Sequence, residues 1–155
     1  MRRLFVVFVA LMLAACASSE DPVASPNFNA TTLDDTSVEL RDLYTTQPVA
    51  MWFWAPTCST CNTQAPIVSH VSQQYSDRIT FLGVAWNGTD EMMNEFVNRH
   101  SIDFSTVPDR TGTIYAQFEI PVQPAWVFIN SDGSSKTHRG TIDEVALSEI
   151  LTEME

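Results

Sequence analysis

Cys58 and Cys61, in the run Cys58-Ser59-Thr60-Cys61, are the residues of this chain best suited to chemistry. Two thiols one helical turn apart share a face and can reach each other. Such a pair can exchange disulfides through a mixed-disulfide intermediate, or it can supply half of a zinc site. The apolar run Val49-Ala50-Met51-Trp52-Phe53-Trp54 stops just before it, at Ala55-Pro56. A strand that feeds a helix at Cys58 puts that cysteine at the helix N-terminus. Free N–H groups and the positive end of the macrodipole stabilise a thiolate there. Cysteines in such motifs titrate anywhere from about 3.5 to 7.5. Cys61 lies deeper in the helix and is expected to be less exposed. Cys58 is then the sulfur that attacks or is attacked, and Cys61 the one that resolves the mixed disulfide.

The elements that position this pair are legible around it. Phe28–Thr31 and Ser37–Leu40 flank the acidic turn Leu33-Asp34-Asp35-Thr36 and predict a short hairpin. Pro48–Trp54 is a continuous apolar run of strand length, as expected of a central strand covered on both faces. After the cysteines, Ile67, Val68, Val71 and Tyr75 recur at helical spacing, with Pro66 inside the helix. Ile79–Trp86 predicts a second buried strand. Thr89 is a candidate N-cap for a helix with Met92, Met93, Phe96 and Val97 turned inward. Asp103–Val107 predicts a short strand, and Thr113–Phe118 a short helix. Ala125–Asn130 predicts a third apolar strand, which the turn Ser131–Ser134 returns antiparallel through Ser135–Gly140. Asp143–Met154 closes the chain as an amphipathic helix through Val145, Leu147, Ile150 and Leu151. Strands alternating with helices, then a hairpin, make a mixed α/β sheet with helices on both faces.

The ends and totals bound the setting. Arg2 and Arg3 precede the unbroken apolar stretch Leu4–Leu13, then Ala14, Ala15 and Cys16. This is the pattern of a secretory signal over residues 1–15. Its ten apolar residues would reach only about 15 Å as a helix, against a hydrocarbon core of about 30 Å. Leu13-Ala14-Ala15-Cys16 also resembles a bacterial lipobox, which implies lipidation of Cys16 and membrane attachment through it. Residues 16–26, rich in Ser, Pro, Ala and acid, are expected to tether the anchor to a single domain over 27–155. Removing the signal takes two positive charges from a formal −11, leaving −13. That excludes nucleic acid as a partner class, since phosphate binding needs clustered Lys and Arg. Export to an oxidising compartment favours a redox pair over a metal pair. As a staple, a bridge spanning two residues would close almost no loop entropy.

The stretch Phe53-Trp54-Ala55-Pro56-Thr57-Cys58-Ser59-Thr60-Cys61, with Pro66, resembles the thioredoxin superfamily in its exported TlpA/ResA/DsbE-like branch. Phe118-Glu119-Ile120-Pro121-Val122-Gln123-Pro124 before an apolar strand is the second match. The whole looks most similar to secreted DsbE/DsbF-type oxidoreductases. The resemblance implies a thioredoxin-like fold with a mixed central sheet flanked by helices, preceded here by the N-terminal β-hairpin. It implies catalysis by Cys58 and Cys61, and a cis peptide bond before Pro124. That bond would present the Gln123 backbone as an edge for an extended client segment. Trp54, Pro56 and Thr57 would support or contact the client. Two departures stand out. The position of the family's buried acid, six before the first cysteine, is Trp52, and the usual basic residue after the motif is Asn62. Loss of the acid hinders deprotonation of Cys61 and leans toward an oxidant.

The histidines are weighed as surface (His70), helix-end (His100) and hairpin (His138) residues rather than ligands. No second CxxC or paired histidines supply the rest of a zinc site. Trp52, Trp54 and Trp126 are expected in the core, with Trp54 able to border the site. The expectation is an exported thiol–disulfide oxidoreductase acting on cysteines of exported proteins as an oxidant, with no metal or bound cofactor. A membrane redox partner would reset its Cys58–Cys61 disulfide. The alternatives are a thiol reductant for cytochrome c maturation and a non-catalytic Cu(I) carrier.

Overall fold

The computed structural model describes residues 26–154. The expected signal, Cys16 and nearly all of the tether lie outside the described residues.

The N-terminal hairpin pairs β1 (Asn29–Thr31) with β2 (Ser37–Glu39), antiparallel, Ala30 opposite Val38. Leu40 does not extend β2. It opens α1 (Leu40–Thr46), a helix the sequence pattern did not reveal. Only Leu40 and Tyr44 of α1 are buried, so its apolar signal is one residue per turn.

The main sheet has five strands in the order β5-β4-β3-β6-β7. At its centre is β3 (Val49–Trp54), all six residues fully buried. β4 (Thr80–Ala85) lies parallel to it, Trp52 opposite Gly83. β6 (Ala125–Ile129) lies antiparallel on its other side, Trp52 opposite Trp126. β5 (Thr106–Pro108) forms one edge and β7 (Ser135–Arg139) the other. β5 starts three residues later than the sequence suggests. Asp103 is exposed there, and only Thr106–Pro108 face the buried strand β4.

Alternate residues of β3 feed two cores. Ala50, Trp52 and Trp54 face α2 (Ser59–Tyr75), α3 (Asp90–Arg99) and α5 (Glu144–Glu153). Val49, Met51 and Phe53 face α1, the hairpin and α4 (Thr113–Gln117). This is the two-sided burial that a continuous apolar strand requires. Each of the larger side chains removed from water stabilises the fold by roughly 1.5–3 kcal/mol. Thr89 and Asp143 cap α3 and α5 by accepting the N–H of Met92 and Ala146. Two inward assignments are corrected. Met92 is 37% exposed and Val145 is 69% exposed. Met93 and Phe96 carry the packing of α3, and Leu147 and Leu151 that of α5, which leaves their neighbours turned outward.

Candidate active site

β3 ends at Trp54, and the turn Ala55–Thr57 delivers Cys58 as the N-cap of α2. The turn is closed by the Cys58 N–H, which donates to the Ala55 carbonyl at 3.1 Å. Cys58 has extended backbone angles, and its Sγ accepts the Cys61 N–H at 3.1 Å. A sulfur thus takes the place of the usual capping oxygen. The two cysteines are joined as a disulfide with their Cα atoms 5.2 Å apart. Cys61 is fully buried among Trp52, Trp54, Ala65 and Val68, whereas Cys58 is half-buried and borders solvent. That asymmetry assigns the reachable sulfur to Cys58, as the helix position predicted.

A second loop completes the site from 65 residues away. The Gln123–Pro124 bond is cis, and the Gln123 carbonyl oxygen lies 3.9 Å from Cys58 Sγ. Pro124 is buried and Gln123 half-buried, while Pro121 and Val122 just before them are exposed. Thr57 is exposed and Pro56 half-buried on the other flank. The Pro56–Thr57 turn and the Gln123 backbone thus stand on the two flanks of Cys58 Sγ.

Trp54 is fully buried. It supports the site from beneath and does not line its surface. Its ring stacks on Phe96 at 4.2 Å and on Trp52 at 5.8 Å. Trp52, at the position where the resemblance places an acid, is equally buried and stacks on Trp126 at 6.1 Å. The floor under Cys61 is therefore a block of aromatic rings, a setting that disfavours a charged sulfur.

Several contributors have no local signal in the sequence. A Cβ on Gly88 would meet Pro56 Cγ at 2.5 Å, so the β4–α3 loop packs directly against the turn that carries Cys58. Gly83 leaves the room in β4 that the Trp54 indole and Thr106 occupy. Tyr115 donates its hydroxyl to the Trp54 carbonyl at 2.9 Å and so ties α4 to the end of β3. Burial and the nearby Asp109 charge push the Tyr115 hydroxyl well up, so it stays a donor. Trp86, expected inside the second strand, lies just past β4, is 37% exposed and rests against Tyr115 at 5.3 Å.

The histidines stand apart from the sulfurs. His70 is exposed near Glu144, and His138 Nε2 lies 3.0 Å from the Thr141 carbonyl oxygen. His100 caps the end of α3, as expected, and also reaches Asn62.

Comparison with known proteins agrees with this geometry. The Redoxin family model matches residues 19–147. The soluble secreted antigen MPT53 of Mycobacterium tuberculosis is 32% identical over 133 residues, covering 84% of this chain and 76% of that protein. Thiol-disulfide oxidoreductase ResA of Bacillus anthracis is 26% identical over 110 residues, covering 70% of this chain and 63% of that protein. Among solved structures, Mycobacterium tuberculosis DsbF superposes with a TM-score of 0.77 at 34% identity, covering 81% of this chain and 92% of that one. A secreted disulfide oxidoreductase of Mycobacterium tuberculosis, homologous to E. coli DsbE, gives a TM-score of 0.77 at 32% identity, covering 82% and 96%.

Proposed function

The chain belongs to the Redoxin family, within the thioredoxin superfamily, and from that premise we propose that it donates disulfides to exported proteins. It is a thiol–disulfide oxidoreductase with a thioredoxin-like fold. The observation that carries the direction is the Cys61 N–H held on Cys58 Sγ at 3.1 Å, at the start of a 17-residue helix. A thiolate that accepts this bond is stabilised, and stabilising the reduced form makes the disulfide a stronger oxidant. The tryptophan at position 52 supports the same direction, because no carboxylate stands there to take the Cys61 proton when the pair acts as a reductant.

The steps balance as follows. A client thiol gives its proton to solvent, its thiolate attacks Cys58 Sγ, the Cys58–Cys61 bond breaks, and Cys61 leaves as a thiolate that takes a proton from solvent. A second client thiolate then attacks the client sulfur of the mixed disulfide. Cys58 leaves as a thiolate held by the Cys61 N–H. Two electrons have passed from client to pair, and the pair is itself the redox centre, with no bound cofactor in the scheme. Pro56, Thr57 and the Gln123 backbone flank the incoming segment. Pro124 holds Gln123 in place, and Trp54 supports the floor.

The protein works outside the cytoplasm, in keeping with the secreted relatives. Lipidation of Cys16 after removal of residues 1–15 would hold it at the outer face of the membrane, with 16–26 as the tether. The lipobox-like run ending at Cys16 supports that placement. A membrane redox partner would restore the disulfide.

Titration against a thiol buffer tests the direction. A potential near −120 to −180 mV supports a disulfide donor, and one at or below about −270 mV supports a reductant. Replacing Cys61 with Ser should trap clients covalently on Cys58. Recovery of no mixed disulfide from cells would count against exchange altogether.

A further inference from the structure

Asn62 and His100 make a connection that the exchange steps above do not use. Asn62 follows Cys61 in the first turn of α2. Its Nδ2 donates to the Cys58 carbonyl at 2.9 Å and to the Pro56 carbonyl at 3.3 Å. Both carbonyls belong to the turn that carries the reachable sulfur. Its Oδ1 lies 3.0 Å from Nε2 of His100, 38 residues further along the chain. An amide nitrogen donates and an amide oxygen accepts. With Nδ2 facing two carbonyls, Oδ1 is the acceptor and His100 Nε2 carries the proton.

His100 is itself held in place. Its backbone N–H donates to the Phe96 carbonyl at 3.1 Å, and its ring packs on the Phe96 ring at 4.5 Å. Phe96 in turn stacks on Trp54 under the site. Partial burial, and then the charge of Arg99, pull the imidazole below its usual range. The charged and titratable groups around the same hollow are His70 on α2, paired with Glu144 of α5, and Arg99 on α3, paired with Glu95.

We propose that His100 is a positioning residue for the exchange reaction: its Nε2–H orients the Asn62 amide, which clamps the Pro56–Cys58 turn and keeps Cys58 Sγ on the Cys61 N–H. His100 touches neither client nor sulfur and acts through Asn62 alone. The proposal rests on exchange through Cys58. Without the donor, the amide oxygen has no partner, and only the two Nδ2 bonds hold the amide in place. The turn then loosens, and the thiolate loses part of its stabilisation.

The test uses the reduced full chain, with alkylation by iodoacetamide followed on the Cys58 peptide by mass spectrometry. His100→Phe keeps the packing on Phe96 and removes the donor. It should slow Cys58 alkylation about threefold to tenfold, the weight of one hydrogen bond. The equilibrium with glutathione should move by the same factor toward the protein disulfide, about 15–30 mV more negative. His100→Gln retains an N–H donor and should restore most of both values. Asn62→Ala should match His100→Phe, and the double variant should lose no more than either alone. Wild-type rates in His100→Phe would overturn the proposal, as would a His100→Gln variant no better than His100→Phe. Alkylation needs no client. Failure of wild type to form mixed disulfides with clients would therefore count against the exchange reading, while the alkylation series still decides the role of His100.

Discussion

The two faces of the central sheet are built from the same strands and to different ends. On the face toward α2, α3 and α5, Trp52, Trp54 and Trp126 stack beneath the cysteines, and among the described residues none of their indole N–H groups has an acceptor. On the face toward α1 and α4, Phe53 packs edge-on against Tyr115 at 5.0 Å, and the Tyr115 hydroxyl is paired with the Trp54 carbonyl. A buried donor left unpaired costs roughly 1–3 kcal/mol. The cysteine face therefore gives up stability to surround Cys61 with apolar rings, and the opposite face holds the frame. Substitutions on the cysteine face should therefore alter reactivity, and those on the frame face only stability.

Four substitutions or conditions test that contrast. Phe53→Ala, on the frame face, should lower the unfolding free energy by about 3–5 kcal/mol through lost burial and a cavity. Denaturant melts would show this, while the reduction potential should stay where it was. A shift in potential beyond about 30 mV, a tenfold change in equilibrium, would mean that the faces are not independent. Gly88→Ala acts at the boundary, since its methyl would collide with the Pro56 ring. It should cost about 1–3 kcal/mol of overpacking and also slow alkylation of Cys58. A stability loss with unchanged Cys58 reactivity would show that Pro56 does not pass strain to the sulfur.

Tyr115→Phe removes one buried hydrogen bond and leaves the ring contacts. The expected loss is about 0.5–1.5 kcal/mol in stability, with no change in potential. The smallest effect comes from His100, at the rim of the cysteine face. Its folded pKa lies below the usual value, so the unfolded chain binds more protons in that window. Its contribution is then present at higher pH and is lost as pH falls through the unfolded value of about 6.5. Acidification from pH 7.5 to 5.5 should lower the denaturation midpoint more in wild type than in His100→Gln. Parallel falls in the two would show that His100 is not held in its neutral form.

Much of this arrangement was legible from the chain. Apolar runs of strand length marked β3, β4 and β6, because a strand covered on both sides has almost no polar position. Thr89 marked a helix start because its oxygen caps a free N–H group. The cysteine spacing, with the helix behind it, indicated which sulfur is reachable, and the Gln123–Pro124 match placed the second loop. What escaped was of two kinds. α1 buries one residue per turn, too sparse a pattern to register. Met92 and Val145 have apolar side chains beside better-placed neighbours, and composition alone cannot tell which of two adjacent residues a helix turns inward.

The chain's local pattern carries the chemistry: a thiol pair one turn apart and an apolar strand to hold it. These are local facts, set by residue type and spacing. Only the tertiary structure decided that Gly88 leaves room for Pro56, that Tyr115 ties α4 to the end of β3, and that His100 grips Asn62. Each of those joins residues tens of positions apart, through packing distances and hydrogen-bond directions that exist only once the two faces have closed on the sheet.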